Sequence, residues 1–426
     1  MHSWPHPHLP VLITPGLRPQ LQDTATGRRF DPVVDGDGHL YVCGITPYDS
    51  THLGHAFTYV AFDTLNRVWR DAGVQVRYVQ NVTDVDDPLL ERAEQIGVDW
   101  RELAADQVQL FRTDMQALRV LPPEHYIGVV EAIDLVVAAV ERLVAAGAAY
   151  RVDQDVYADL SADHRFGSVS NLDPETMARL FAERGGDPDR EGKKDSLDPL
   201  LWRGRRAGEP WWDGASLGPG RPGWHIECGA LAEHYLGLPV TVEGGGEDLI
   251  FPHHDMGTSH LRFLHSTDDE PIRGYLHTGL VAYQGQKMSK SLGNLVFVSG
   301  LLADGADPRV VRLVLLAHHF SESWEYTDTE LAEAARRLDR WLSAAGQATP
   351  GGQTETGGAH TSATLPATAT GQSQPGSAVV QEMREALANN LDTVACLEVV
   401  DRAAAAGALT AEVVTAIDAL LGIDLS

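Results

Sequence analysis

The segment 39–82, HLYVCGITPYDSTHLGHAFTYVAFDTLNRVWRDAGVQVRYVQNV, decides the fold of this chain. Its first six residues predict a buried strand, residues 56–72 place apolar side chains at helical spacing, and residues 74–82 predict a second strand. A strand, a helix and a strand within about forty residues form a βαβ unit, whose two strands are parallel. Such sheets bind ligands at the carboxyl ends of their strands, which is where Cys43 and Asn81 lie.

The composition limits the class of protein. A chain of 426 residues with 43% hydrophobic and 22% charged residues predicts a globular protein of two or three domains. The sequence has no apolar run long enough for a membrane span and no secretory signal at its start. Three scattered cysteines are too few for a disulfide framework, so we expect a reducing, cytoplasmic location. The net charge of −27 disfavours nucleic acid as a partner.

The rest of the chain continues the α/β pattern with an interruption. Helical patterns cover 100–119, 131–146 and 307–345, and strand-like runs return at 239–243 and 276–282. Residues 183–199 predict an inserted loop. The Gly- and Thr-rich residues 346–377 predict a flexible linker, because they bury too little apolar area to offset their ordering entropy.

These patterns predict six parts of the chain. In order they are the first half of a Rossmann-like catalytic domain (1–125), an inserted connective segment (126–205), the second half of the catalytic domain (206–300), a helical region (301–345), the linker (346–377) and C-terminal helices (378–426).

The motif His-Leu-Gly-His occupies the start of the first predicted helix. The N-terminus of that helix suits a phosphate, and His52 and His55, three residues apart, can both face one ligand there. Gly54 between them leaves room for a flat ring against the backbone. Polar capping of the helix is an equal alternative for this motif on its own.

The pentapeptide Lys-Met-Ser-Lys-Ser lies far downstream, at 287–291. Lys287 and Lys290 can neutralise the charge that grows on a departing pyrophosphate, and Gly285 and Gly293 flank the motif as expected of a loop that must move. A solvated surface loop is the alternative. The order of the two motifs along the chain disfavours that alternative.

Two further segments supply partners for the thiol of Cys43. Residues 224–228 (WHIEC) bring a second thiol, Cys228, and residues 251–255 (FPHHD) bring imidazoles. Two cysteines and one histidine suit Zn²⁺ and leave one coordination position open, as in functional zinc sites. A substrate with a free thiol could take that position. Taken one at a time, a buried cysteine or a capping histidine is the commoner interpretation.

The segments YVCG, HLGH, VQNVTDVDD, PGWHIEC, DLIFPHH and KMSKS together resemble those of the class I cysteinyl-tRNA synthetases. They are still more similar to the metabolic relatives of those enzymes in mycothiol synthesis, the ligases that join L-cysteine to glucosaminyl-inositol. The resemblance covers residues 1–326. It implies an α/β fold, with a Rossmann-like parallel sheet of the class I synthetase type, an inserted segment and a C-terminal helical region.

The resemblance also implies roles for individual residues. Zn²⁺ would be held by Cys43, Cys228 and His253. His52 and His55 would donate to the phosphates of ATP, while Lys287 and Lys290 would stabilise the transition state from a mobile loop. The positions that match the adenylate pocket of the family are Cys43, Gly44, Ile45, Thr46, Thr58, Asn81, Val82, Thr83, Trp224, Gly246, Glu247, Asp248 and Val281.

Several features favour the small-molecule ligase over the synthetase. Gly257 stands where the synthetases carry a fourth zinc ligand, a carboxylate, so that His254 or Asp255 would have to compensate. The segment Glu183–Pro188 (ERGGDP) resembles a motif typical of the ligases. Residues 378–426 hold eight acids against two bases, whereas a tRNA-binding appendage should neutralise several phosphates.

We therefore expect an ATP-dependent, AMP-forming ligase, a monomer whose small-molecule partners are L-cysteine, ATP with Mg²⁺ and glucosaminyl-inositol. A cysteinyl-tRNA synthetase and a catalytically inert thiol or nucleotide sensor are the alternatives. Asp84, Asp86 and Asp87 are candidates for the base that deprotonates the amine, because they follow a strand end.

Overall fold

A computed structural model describes residues 1–33, 36–49, 51–265, 269–288, 293–348 and 375–426. The strands, numbered in chain order, are β1 (Leu21–Gln22), β2 (Arg29–Phe30), β3 (Gly38–Val42), β4 (Val76–Val82), β5 (His125–Gly128), β6 (Ala149–Val152), β7 (Asp155–Ala158), β8 (Leu200–Gly204), β9 (Gly220–Pro222), β10 (Val242–Gly246), β11 (Tyr275–Thr278), β12 (Val281–Tyr283), β13 (Gln286–Lys287) and β14 (Trp324–Glu325).

The α-helices are numbered in the same way. They are α1 (Leu53–Asp71), α2 (Asp87–Ile96), α3 (Trp100–Ala117), α4 (Ile133–Ala145), α5 (Pro174–Glu183), α6 (Trp224–Leu236), α7 (Asp255–Leu264), α8 (Val298–Ala303), α9 (Pro308–Leu316), α10 (Asp328–Ala348), α11 (Pro375–Ala388), α12 (Thr393–Ala405) and α13 (Ala411–Ala416). None of the helices in the described ranges is both long and apolar enough to cross a membrane.

The central sheet has five parallel strands in the order β5-β4-β3-β10-β11. The chain therefore builds outward from β3 to β5 on one side and then restarts beside β3 with β10. This reversal between β3 and β10 is the switch point at which doubly wound sheets bind their ligands. The parallel sheet predicted from residues 39–82 is confirmed.

Helix α1 forms the centre of the larger core. Most of its side chains are buried, because one face lies on the sheet and the opposite one is covered by α9 and the C-terminal helices. It begins at Leu53, three residues earlier than predicted, since the side chain of His52 caps it by accepting from the backbone N–H of His55.

The inserted segment forms a separate antiparallel sheet of four strands in the order β6-β7-β8-β9. Its limits differ from the predicted range 126–205. Residues 126–128 belong to the parallel sheet, where β5 pairs with β4, and 220–222 pair with β8 in the insert. Both strands are too short to give a periodic signal of their own. The predicted loop lies between the end of α5 at Glu183 and the start of β8 at Leu200.

The C-terminal third differs from the prediction in two places. The helical pattern over 307–345 is interrupted, because β14 lies between α9 and α10 and pairs in parallel with β12. The predicted linker is shorter than 346–377, since α10 continues to Ala348 and α11 begins at Pro375. Residues 349–374, the rest of that linker, lie outside the described residues.

A buried ionic cluster joins the C-terminus to the catalytic core. Asp63 on α1 pairs with Arg67 at 2.7 Å and also with Arg312 on α9, and all three side chains are at most 1% exposed. Arg312 Nε donates to the carbonyl of Leu421 at 2.6 Å, and Arg67 Nη1 donates to that of Asp418 at 3.0 Å. These charge-assisted bonds hold the last turn of the chain against the first helix of the βαβ unit.

Candidate active site

Cys43 lies at the switch point of the central sheet. It follows β3 directly, its backbone N–H donates to the carbonyl of Gly244 on β10 at 2.9 Å, and its own carbonyl accepts from the hydroxyl of Tyr59 at 3.0 Å. Its side chain is buried. The sheet thus places a thiol in the crevice where its topology predicts a ligand.

The second thiol of the site comes from the first turns of α6. Cys43 Sγ lies 3.8 Å from Cys228 Sγ and donates its proton toward it. That hydrogen bond holds the pKa of Cys228 well below its ordinary value, and contact with His253 acts in the same direction. It raises the pKa of Cys43, as does burial. The two thiols thus differ in acidity, and a cation between the sulfurs would displace their protons.

Two imidazoles complete the cluster. The ligand atoms of Cys43, His253 and His254 lie within 4.8 Å of one another. His254 Nε2 is 3.3 Å from Cys43 Sγ, and its Nδ1 is 2.8 Å from Nε2 of His277 on β11. His277 Nδ1 in turn contacts Thr24 Oγ1 at 2.9 Å, so the orientation of His254 is fixed by a chain of hydrogen bonds. The arrangement could hold a metal ion.

His253 is oriented by its neighbours on α6. Its Nδ1 lies 3.1 Å from His225 Nδ1, and its ring stacks on that of Trp224 with the centroids 4.7 Å apart. Burial keeps the pKa of His225 well below its ordinary value, so that this imidazole is neutral. The ring of Trp224, a predicted adenylate position, is thus in direct contact with the ring of His253, a predicted metal ligand.

The structure distinguishes the two residues considered as substitutes for the missing carboxylate at Gly257. His254 belongs to the cluster. The carboxylate of Asp255 instead accepts from the backbone N–H groups of Val169 and Ser170 at 2.9 and 3.1 Å, which turns it toward the insert.

The turn after β3 is held tightly against the end of β4. The side chain of Asn81 accepts from Gly44 N at 2.8 Å and donates to Thr83 Oγ1 at 3.1 Å. Thr83 N donates to the carbonyl of Ile45 at 3.0 Å, and Thr46 continues the turn by accepting from the backbone two residues on. A Cβ on Gly44 would lie 1.6 Å from the carbonyl oxygen of Asn81, so only glycine fits there.

The other predicted adenylate positions surround this turn. Val82 is the buried last residue of β4, and Thr58 on α1 shares a hydrogen bond of 2.7 Å with Thr278 at the end of β11. Residues 246–248 form the turn that leaves β10 at the switch point. Val281 begins β12. With the exception of Val281, these positions lie at the carboxyl ends of the parallel strands or on the helices that follow them.

The two histidines of the HLGH motif stack on each other. Their ring centroids are 3.7 Å apart, and His52 Nδ1 accepts from His55 N at 3.4 Å. Burial lowers the pKa of His55 to about 4, so its ring is neutral near pH 7 and can donate one hydrogen bond. His52 thus does act as a helix cap, and this capping places both rings at the N-terminus of α1.

The HLGH motif and the segment after the KMSKS motif are joined through the backbone. Leu53 N donates to the carbonyl of Val296, and Val298 N donates to that of Thr51, each at 2.9 Å. Lys287 ends β13, whereas Lys290 lies outside the described residues. Residues 296–298, which follow the KMSKS motif in the chain, are therefore bonded directly to the histidine motif.

The three candidate bases differ in their surroundings. Asp87 pairs with Arg221 and with Arg203, the latter at 3.3 Å. Asp84 accepts from the backbone N–H of Val130 at 2.9 Å. Asp86 caps α2, and burial raises its pKa to about 6, with the charges of Arg221 and His253 opposing that shift. Burial raises the pKa of Asp84 to about 6 as well, so Asp86 differs from it in the interaction with the charge of His253.

Sequence reasoning missed two buried groups behind the cluster. His277 orients His254, as described above. Glu243 on β10 is 3% exposed, and burial raises its pKa to about 8, with the charge of Cys228 adding to the shift. A single ionisable residue in a short apolar strand was the available signal in both cases.

Comparison with known proteins agrees with this geometry. The sequence pattern of the family described as tRNA synthetases class I (C) catalytic domain matches residues 29–336. A solved structure of Mycobacterium tuberculosis methionyl-tRNA synthetase bound by methionyl-adenylate has the same fold, with a TM-score of 0.60 at 16% identity, over 91% of this chain and 92% of that chain.

Curated relatives are similar over their whole length. The chain is 56%, 55% and 54% identical to proteins named L-cysteine:1D-myo-inositol 2-amino-2-deoxy-alpha-D-glucopyranoside ligase from Xylanimonas cellulosilytica, Beutenbergia cavernae and Streptomyces avermitilis. In each comparison 100% of both chains is covered.

Proposed function

This chain belongs to the family of class I (C) tRNA synthetase catalytic domains, and we propose that it is an ATP-dependent ligase that joins L-cysteine to the amine of glucosaminyl-inositol. Cysteine and ATP first form cysteinyl-adenylate and pyrophosphate. The amine of the acceptor then attacks the acyl carbon, so that an amide forms and AMP leaves. The full-length relatives named as this ligase support the proposal over a cysteinyl-tRNA synthetase or an inert sensor.

The observation that carries the proposal is the pair of thiols beside the adenylate turn. A tetrahedral Zn²⁺ with Zn–S distances of about 2.3 Å places its two sulfurs roughly 3.8 Å apart. The sulfurs of Cys43 and Cys228 are 3.8 Å apart, His253 hydrogen-bonds to Cys228, and its ligand atom lies within 4.8 Å of that of Cys43. These three residues would hold the ion, which when bound supplies a Lewis acid that deprotonates a substrate thiol and discriminates against a hydroxyl.

Other residues of the chain would bind the phosphates of ATP, the departing pyrophosphate and the adenylate. The HLGH rings at the N-terminus of α1 would donate to the phosphates of ATP, where the helix dipole also favours negative charge. Lys287 and Lys290 would neutralise the departing pyrophosphate, and Mg²⁺ would accompany the nucleotide. The turn at Gly44 would hold the adenylate next to the sulfur site, so that catalysis is mainly positioning and electrostatic stabilisation.

The C-terminal region supports a small acceptor rather than tRNA. Of its two bases, Arg384 is buried and pairs with Asp71 at 2.8 Å, while Arg402 pairs with Glu382 at 3.2 Å. Arg384 is therefore not available to neutralise a phosphate backbone, and the exposed Arg402 is a single base beside eight acids. We therefore propose a monomer without a nucleic-acid partner. The three cysteines are free thiols, which supports a cytoplasmic location.

The test separates the three candidate functions. The ligase requires cysteine-dependent exchange of pyrophosphate into ATP, and release of AMP when glucosaminyl-inositol is added. If the protein charges tRNA and releases no AMP when glucosaminyl-inositol is added, it is instead a synthetase. A protein that binds cysteine and ATP but exchanges no pyrophosphate would be a sensor.

A further inference from the structure

The ERGGDP motif, Glu183–Pro188, has no role in the reaction described above. Its local structure is a sharp helix end. Helix α5 stops at Glu183, Gly185 takes a φ of +89°, and Gly186 donates its N–H to the carbonyl of Phe181 at 2.8 Å. A Cβ on Gly186 would lie 2.6 Å from the ring of Phe181. The two glycines therefore let the chain turn back closely over α5, with Arg184 at the corner.

The side chain of Arg184 crosses from the insert to the catalytic domain. Its Nη1 donates to the carbonyl of Asp248 at 2.6 Å and also to that of Phe251. Both carbonyls belong to the short segment 247–254, which runs from the end of β10 to the start of α7. That segment carries the predicted adenylate position Asp248 and the predicted metal ligand His253.

The Asp-Pro half of the motif holds the loop that presents this arginine. Asp187 accepts from the hydroxyl of Tyr157 and from Lys193 Nζ, the latter at 3.0 Å. The side chain of Lys193 is 2% exposed and lies over the rings of Tyr157 and Phe181. The lysine of this ion pair is buried, while the carboxylate is 41% exposed, and the pair ties the loop after Gly186 to the aromatic side chains beneath it.

The insert also holds the far side of the same segment. The backbone of Val169 and Ser170 donates to the carboxylate of Asp255, the residue that follows the two histidines. Between these polar contacts, Phe251 and Met256 pack in an apolar cluster with Phe181 of α5. The turn that carries His253 and His254 is thus held by the insert both before and after the imidazoles.

We infer that Arg184 is a positioning residue, which ties the insert to the 247–254 segment and so sets the place of the adenylate-contacting and metal-ligating residues on it. The inference rests on the proposed function for its catalytic consequence, but its effect on the metal site does not. The guanidinium donates to two main-chain carbonyls at once, and its charge makes both bonds stronger than those of a neutral side chain. Partners that orient metal ligands in this way change metal affinity about 10- to 100-fold when they are lost.

The test compares Arg184→Gln with Arg179→Gln. Arg179 lies on α5 just before Arg184, is exposed and pairs with Glu183 one turn on, which makes it a matched control. Two experiments are done on the full chain. Competition with a chelator gives the dissociation constant of Zn²⁺, and cysteine-dependent pyrophosphate exchange gives KM and kcat. For Arg184→Gln we expect Zn²⁺ binding about tenfold weaker or more, and a higher KM for ATP and cysteine. Arg179→Gln should match the wild type.

A conservative variant separates positioning from general stability. Arg184→Lys keeps the charge and N–H donors but loses the planar guanidinium, so it should recover part of both effects, whereas a merely structural arginine would lower only the melting temperature. If Arg184→Gln does not fold, Arg184→Lys against Arg179→Lys decides the question by the same measurements. Unchanged Zn²⁺ affinity and KM in the folded Arg184 variant would overturn the inference. If the wild type exchanges no pyrophosphate, the proposed function fails, while the Zn²⁺ measurement still decides the role of Arg184.

Discussion

Replacement of Gly44 by alanine gives the sharpest prediction about catalysis. The added Cβ would lie 1.6 Å from the carbonyl oxygen of Asn81, whereas real contacts of this kind stay beyond 3.0 Å. The turn and the end of β4 must therefore separate by about 1.4 Å, the difference between the two distances. A displacement of about 1 Å in residues that position a substrate costs on the order of 100-fold in rate. We expect kcat/KM for pyrophosphate exchange to fall by about that factor or more.

The assay needs a control that changes glycine to alanine near the same site without a collision. Gly257→Ala serves this purpose, because its Cβ would meet only the carbonyl oxygen of His225, at an ordinary 3.6 Å, and alanine favours the helix α7. Rates are compared per folded molecule, with circular dichroism as the measure of folding. The reasoning is refuted if folded Gly44→Ala exchanges pyrophosphate within threefold of the Gly257→Ala rate.

Three further predictions concern metal content and stability. Cys228→Ser should lower bound zinc, measured by elemental analysis, from about one ion per chain to near zero, whereas Cys396→Ser, at a buried cysteine outside the site, should keep it. Burial raises the pKa of Asp114 to about 7. The folded state therefore retains a proton that the unfolded state loses near pH 4. As a result, the free energy of unfolding should fall by up to about 4 kcal/mol as pH rises from 4 to 7. Denaturant titrations at both pH values should show the slope smaller by this contribution in Asp114→Asn and unchanged in Asp106→Asn, an exposed change on the same helix. Asp63→Ala leaves two buried guanidinium groups without their carboxylate and should lower the free energy of unfolding by about 3–5 kcal/mol in the same titrations.

Local pattern predicted the parts of the fold that depend on nearby residues. The βαβ unit followed from apolar spacing within 39–82, and the parallel sheet followed from that unit. The limits of the insert could not be obtained in this way. Strand β5 has only four residues, and what assigns it to the central sheet is its pairing with β4, a contact between segments far apart in the chain.

In the candidate site, too, residue types could be predicted from the sequence, whereas contacts between distant segments could not. The types of residue at Cys43, Cys228 and His253 pointed to a metal, because thiols and imidazoles in one crevice have few other uses. The choice between His254 and Asp255 required the structure, since both are buried and adjacent in sequence. Only the insert, which engages Asp255 through its backbone, explains why the imidazole and not the carboxylate faces the sulfurs.

The ionic cluster around Asp63 predicts how the protein behaves when its chain is cut. Helices α11 and α12 lie against each other, α12 lies against α10, and the final turn is bonded to Arg67 and Arg312. The parts of the chain before and after 349–374 are therefore held together by non-covalent contacts as well as by the covalent chain. If a protease cuts the chain within 349–374, the two resulting polypeptides should therefore stay associated and elute together in size-exclusion chromatography. The same position would suit a split version of the enzyme, expressed as two polypeptides that reconstitute activity on mixing.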